Sequence, residues 1–453
     1  MVRLAWALLS TPFVWAPLLC AQNAALDEQI ASALRASGAP SVSVAAVQHG
    51  EITYAKAFGQ SNIAENRAAD TSTRYAIGSV SKQFTAAALL LLAEQGKISL
   101  DDKVAKYLPD LTRAREVTIR ELLSHTSGYE DYAPQDYMIP DWTRPITPQE
   151  ILNQWAKKPL NFDPGTRWQY SNTNYVIAGQ IFEKVSGQPL VAFLRERIFQ
   201  PLGMSTPGEI TDHEPADASA YTRYALGPPR LVAREGSGWM FAAGELAMTP
   251  SDLARWDIAF LGKKILSARS YREFTTEVKL KDHKPTHYAL GLDLGELNGT
   301  PMISHTGEVS GFLTSNAVFP AKGVAVVVCS NEDGISLIGP LARQIAEVLL
   351  GGAPAKDIAQ VRGILEGLRE GRIDRAILTS DANSYFNDVV LKDYAASLAG
   401  LGKLQDLTKT NEQLRGGMTH RSYRARYETK TVLLNIYVMP DGRYEQFLVE
   451  ETL

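Results

Sequence analysis

The stretch Ala76-Ile77-Gly78-Ser79-Val80-Ser81-Lys82-Gln83-Phe84-Thr85 runs straight into Ala86-Ala87-Ala88-Leu89-Leu90-Leu91-Leu92, and its reading decides the fold. Nothing between Thr85 and Glu94 is polar, and a helix apolar on every side belongs in a core. The stretch therefore predicts a strand end, a turn and a buried helix. Ser79 and Lys82 stand three apart on its first turn and share a face. A serine hydroxyl becomes a nucleophile when a neighbouring base takes its proton, and a desolvated amine can be that base once its pKa is pushed down. The helix start adds free backbone N–H groups and a positive dipole end, both suited to an oxyanion. Ser81 points elsewhere, because adjacent helical residues diverge. Alone, Ser-x-x-Lys carries little. About one match is expected by chance in a chain of this length, and an N-cap serine followed by a surface lysine accounts for it as well.

Working outward, residues 25–37 predict an amphipathic helix with Leu26, Ile30, Ala33 and Leu34 on one stripe. Residues 42–47 and 52–58 predict a hairpin around His49-Gly50. Downstream, helical segments with short loops lead to Ser124-His125-Thr126-Ser127-Gly128. Adjacent Ser and His make a poor nucleophile–base pair, and Gly128 explains this segment as a helix end. Tyr170-Ser171-Asn172 puts a phenol, a hydroxyl and an amide just before an apolar helix over 175–186, and Asn172 taken alone could be its N-cap. Thr249 or Ser251 opens another helix. His283 and His287 flank Pro285 with no acidic ligand nearby, so they do not suggest a metal pair. Asn298-Gly299 joins predicted strands over 288–294 and 302–304; strands over 314–319 and 324–329 and a helix over 335–350 follow. Gly351-Gly352-Ala353-Pro354 reads as a linker. Beyond it come helices over 356–370 and 381–399 and strands over 418–427, 431–438 and 443–449, with His420 on a strand surface.

The 453 residues are 45% hydrophobic and 21% charged, an ordinary globular composition. With 46 basic against 50 acidic residues, a net charge of -4 and no basic block, nucleic acid is not expected as a partner. No internal run reaches the 18 or so apolar residues of a membrane span. Met1-Val2-Arg3, a short apolar core and Cys20-Ala21-Gln22 form the pattern of a secretory signal peptide, with cleavage expected after Ala21. Removing it leaves Cys329 as the one remaining cysteine of two, so the mature chain should fold without a disulfide.

Ile303-Ser304-His305-Thr306-Gly307 adds a third polar pattern at a strand end. With Ser79-x-x-Lys82, Tyr170-Ser171-Asn172 and this motif in order, residues 25 to 350 resemble the serine β-lactamase and DD-peptidase superfamily. The branch they resemble holds class C β-lactamases, D-aminopeptidases and β-lactamase-like esterases. The flanking phrases Leu122-Leu123-Ser124-His125-Thr126-Ser127-Gly128 and Phe162-Asp163-Pro164-Gly165 belong to the same resemblance. It implies an α+β fold, an antiparallel sheet flanked by helices with an inserted helical region. It also implies Ser79 as the acylated nucleophile, Lys82 as its base, and Tyr170 as the proton carrier to the leaving group. That last role requires a phenol held partly towards phenolate. Asn172 would hold the substrate's acyl-side amide, and the strand His305-Thr306-Gly307 would bind substrate edge-on. The N–H groups of Ser79 and Glu308 would form the oxyanion hole. His305 stands where the lactamase branch has lysine, and Glu308 where a small residue is usual. Both departures disfavour substrates that carry a carboxylate.

The expectation is thus a signal peptide over 1–21, a hydrolase domain over 22–350, a linker over 351–355 and a small α+β accessory domain over 356–453. The protein is expected to be an exported (periplasmic or extracellular), metal-free and cofactor-free serine hydrolase. Its substrates would be small-molecule or peptide esters or amides, with peptidase or esterase chemistry ahead of efficient β-lactam hydrolysis. The alternatives are a β-lactamase or DD-carboxypeptidase, a penicillin-sensing module without turnover, or a carrier whose working part is the C-terminal domain.

Overall fold

A computed structural model of the protein describes residues 15–135, 137–211, 217–225, 227–351 and 356–451. The segment read as a leader lies outside them up to residue 14, and one helix runs Trp15–Ser37. The chain divides into two compact units, Met1–Leu350 and Gly351–Leu453.

The first unit is built on a seven-stranded antiparallel sheet. Its strands lie in the order Arg67–Ala68, Glu51–Asn62, Ser41–Gln48, Val324–Ser330, Phe312–Phe319, Thr300–Val309, Asp293–Leu297. The central strands are apolar on both faces because both faces are covered, and the side chains alternate with the period-two pleat. Val42, Val44, Val326 and Val328 meet Leu26 and Ile30 of the N-terminal helix and Leu341 and Ile345 of the helix Ile338–Leu349. Ala45, Val47, Val327 and Cys329 face the other way, onto the all-apolar helix Lys82–Glu94 and the inserted helical region. The predicted hairpin closes at His49 and Gly50, both with positive φ. The strand expected over 288–294 begins only at Asp293; Tyr288 to Leu292 form a loop whose aromatic end points into the site. Cys329 is buried and free.

In the second unit a four-stranded antiparallel sheet carries the helices Lys356–Arg369, Ser380–Tyr385 and Asp388–Ala399 around its own core. Two expectations change there. The strand Leu404–Arg415 was not anticipated: among its Gln, Asp, Lys, Asn and Glu residues only Thr408 and Thr410 favour a strand. It pairs on one side only, as an edge strand whose charged side chains suit exposure. His420 is not a surface residue but is 9% exposed, stacked on Tyr437 at 4.7 Å and hydrogen-bonded to Asn435.

Candidate active site

The turn ahead of the buried helix is a 3-10 segment, Gly78–Ser81, that hands over to α-helix at Lys82. It is pressed against the strand Thr300–Val309 so closely that neither side tolerates a Cβ. One added at Gly307 would stand 1.9 Å from the Ile77 carbonyl oxygen, and one at Gly78 2.7 Å from the Glu308 nitrogen. The same contact sets the Ser79 nitrogen 3.2 Å from where a Gly307 Cβ would stand, so the turn and the strand meet at the Ser79 and Glu308 backbone.

Lys82 is fully buried, and burial pushes its amine down to about 7. Its Nζ lies 2.8 Å from each of Ser79 Oγ, Asn172 Oδ1 and the Ala243 carbonyl oxygen. The two carbonyl oxygens can only accept, so they fix two N–H bonds. The remaining valence, a lone pair in the neutral amine, then faces the Ser79 hydroxyl. Ser81, as expected, takes no part: it is buried and accepts a hydrogen bond from the Leu246 amide.

Tyr170 reaches Ser79 from the other side. Its ring lies 4.9 Å from Lys82 Nζ, and a hydrogen bond with Ser79 only partly offsets the burial that pushes its phenol up. The expected phenolate character is therefore absent at rest; burial, the larger effect, keeps Tyr170 a protonated phenol. Asn172 lines the cavity; its Oδ1 is on Lys82 and its Nδ2 donates to Asp131, so in the resting site it also orients the lysine. The N-cap of its helix, Asn172–Ser186, is Ser171.

His305 is a neutral imidazole, pushed down to about 3 by burial and by Lys82. Its Nδ1 lies 2.6 Å from the Thr306 carbonyl oxygen and donates to it, so Nε2 accepts from the Tyr288 hydroxyl at 2.8 Å. Thr306 and Glu308 are exposed on the same strand and line the cavity, and Gly307 makes the close approach to the turn. The cavity is about 770 Å3, with Ser79 on its wall.

Four residues that motif reading missed also line it: Asp131, Glu235, Asp293 and Asp333. Asp131 accepts from the Ala133 and Asn172 amides, and burial raises the Asp293 carboxyl to about 6. Only Asp131, three residues past the Ser127-Gly128 phrase, had any nearby signal. His125 holds the Tyr170 segment. Its carbonyl accepts from Gln169 N–H at 3.0 Å, its Nδ1 from Ser171 N–H at 3.2 Å, and its ring packs tilted against Tyr170 at 4.2 Å. The helix Ile119–Leu123 stops before His125, which takes a φ of 59°. Gly128 serves a close approach instead, with a Cβ there lying 2.3 Å from the Phe162 carbonyl oxygen.

A family profile described as Beta-lactamase matches residues 26–350. Penicillin-binding protein 4* of Bacillus subtilis is 29% identical over 331 residues, covering 69% of this chain and 72% of that protein. A D-aminopeptidase of Brucella canis is 29% identical over 330 residues, 70% of this chain and 61% of the relative. A D-stereospecific amidohydrolase from Streptomyces sp. superposes with a TM-score of 0.63 at 28% identity, over 73% of this chain and 99% of that one. The octameric penicillin-binding protein homologue from Pyrococcus abyssi shares the fold over 94% of this chain and 99% of its own, at a TM-score of 0.66 and 21% identity. A serine paired with a buried lysine, carried on this sheet and matched across this span, identifies the chain as a serine hydrolase that belongs to the Beta-lactamase family.

Proposed function

We propose that the protein is an exported hydrolase that cleaves esters or amides through an acyl-enzyme on Ser79, with peptidase or esterase activity ahead of β-lactam hydrolysis. The observation that carries this reading is the 2.8 Å contact between Ser79 Oγ and a buried Lys82 amine with a pKa near 7. In the neutral form the amine takes the Ser79 proton as Oγ attacks the carbonyl carbon. The oxyanion then sits between the Ser79 and Glu308 amides. When the tetrahedral adduct collapses, Tyr170 passes the proton from Lys82 to the departing alkoxide or amine. A water molecule, deprotonated by the same pair, attacks the acyl-enzyme and releases the acid, returning the proton to Ser79.

The preference against β-lactams rests on charge. A neutral His305 supplies no cation for a substrate carboxylate, and Glu308 places a carboxylate beside the oxyanion position. The test is a fluorophosphonate probe with a panel of p-nitrophenyl esters, amino-acid p-nitroanilides and a chromogenic cephalosporin. Ser79 should carry the label, and Ser79→Ala should lower turnover by several orders of magnitude. Labelling at Ser81 or Ser124, or faster cephalosporin than ester hydrolysis, overturns the reading.

A further inference from the structure

Asn172 opens the helix Asn172–Ser186, and the side chain of the residue before it does not cap that helix. Ser171 Oγ is buried and has no hydrogen-bond partner among the described residues. The first N–H groups of a helix have no partner inside it and need one from elsewhere. For Asn172 that partner is the buried Asp131, 41 residues upstream. Asp131 Oδ1 accepts from the Asn172 backbone N–H at 2.9 Å and from the Ala133 N–H at 3.1 Å. The Asn172 side chain turns to the same carboxylate, with Nδ2 at 3.2 Å from Oδ1 and 3.3 Å from Oδ2.

An ionised carboxylate can only accept hydrogen bonds, whereas an amide side chain has a donating end and an accepting end of nearly the same shape. Asp131 therefore decides which end of Asn172 it meets. The NH2 group turns to the carboxylate, and Oδ1 is left on Lys82 Nζ at 2.8 Å. Burial raises the Asp131 carboxyl, while the Ala133 and Asn172 hydrogen bonds and the charge of Lys82 pull it back towards the carboxylate. The reverse amide orientation would aim N–H groups at the lysine and engage the lone pair that faces Ser79. Around this amine His125 and His305 are pushed down, and Tyr132, Tyr170 and Tyr175 are pushed up, each towards its neutral form. Burial also raises Glu245, two residues past Ala243, to about 8. Among the described residues Asp131 is the charge that acts on Lys82, raising the amine against its burial.

We propose that Asp131 is a positioning residue for acylation, its carboxylate holding the Asn172 amide with the carbonyl end on Lys82 and so keeping the lysine lone pair on the Ser79 hydroxyl. This assignment rests on the Ser79 reading above and deepens it. Capping and orienting are then one act: the carboxylate that satisfies the helix start also sets the polarity of the amide beside the base.

The experiment is Asp131→Asn in the full-length protein, read by the rate of fluorophosphonate labelling and by the kinetics of p-nitrophenyl ester hydrolysis across pH 5 to 9. The new amide can still accept from the Asn172 and Ala133 N–H groups, so the helix start keeps its partner. Its NH2 end, however, meets the NH2 end of Asn172, and the Asn172 amide turns over to relieve that contact. Labelling should slow about a hundredfold or more, and the loss for the ester should lie in kcat with KM little changed. The rise of the rate with pH should move down by about one unit, because the lysine loses a nearby negative charge. Asn172→Ala removes the relay, so adding Asp131→Asn to it should slow labelling less than about threefold further. If Asp131→Asn does not fold, Asp131→Ala should give the same downward shift and the same dependence on Asn172. Labelling of a folded variant at the wild-type rate, an unmoved pH dependence, or losses that multiply with Asn172→Ala overturn the positioning role and leave the Ser79 reading standing. Wild-type protein labelled elsewhere than Ser79, or not at all, sinks the Ser79 reading and this one with it.

Discussion

With two of its N–H bonds fixed on the Asn172 and Ala243 carbonyl oxygens, Lys82 can take the Ser79 proton only as a free amine. Its pKa near 7 sets where that happens. The base must be deprotonated, so kcat/KM for a neutral ester should rise with pH through about 7 and level off above it. His305, pushed down to about 3, adds no second step between pH 5 and 8. Stopped-flow acylation rates across pH 5 to 9 check this, and a flat profile would remove Lys82 from the role. Lys82→Ala and Tyr170→Phe should each cost several orders of magnitude, and the double variant little more than the worse single one, because in the proposed mechanism the two handle one proton. His125→Phe keeps a ring behind Tyr170 but loses the acceptor for Ser171 N–H. It should lower kcat roughly tenfold or more with KM little changed, whereas general destabilisation would reduce the fraction of labelled enzyme instead. Ser79, Lys82, Tyr170, Asn172 and the His305 to Glu308 run were legible because each stands in a short local pattern. Asp131, Glu235, Asp293 and Asp333 were not, because segments far apart in the chain bring them to the cavity. The protonated Tyr170 was also out of reach, since burial, which sets it, is a property of the packed site.

The strand Thr300–Val309 and the turn Gly78–Ser81 act as one element although more than two hundred residues separate them. Their contact has room for hydrogen alone at Gly307, so Gly307→Ala has to force the strand away from Ile77. The expected cost is about 3 kcal/mol of stability, together with a loss of acylation that exceeds any loss of folded protein, because the two amides proposed to bind the oxyanion separate. Thermal melts beside fluorophosphonate labelling of the folded fraction distinguish the two, and a variant with normal labelling would show that the amides do not depend on this contact. The same scale explains what could be read of the fold. The strand Val324–Ser330 announced itself as an apolar run because helices cover both faces of the sheet. Leu404–Arg415 could not, because an edge strand has the composition of its solvent-facing side.

At the scale of the whole molecule, the two compact units should melt as separate transitions, and a chain cut after residue 350 should keep ester hydrolysis within about twofold. Calorimetry and kcat/KM of residues 22–350 check this, and loss of activity in a folded fragment would assign the C-terminal unit a part in catalysis. The sheet of the first unit has a further consequence. Its two innermost neighbours are the first long strand and the last, Ser41–Gln48 and Val324–Ser330, registered Val42 to Ser330 and Val47 to Ala325. Every other strand hangs on that pair, so the sheet has no complete centre until nearly the whole unit has been synthesised. Closing so long a loop is entropically slow. A growing chain therefore carries Ser79 and Lys82 for more than two hundred residues before they have a pocket, and the site cannot assemble until the final strand seats.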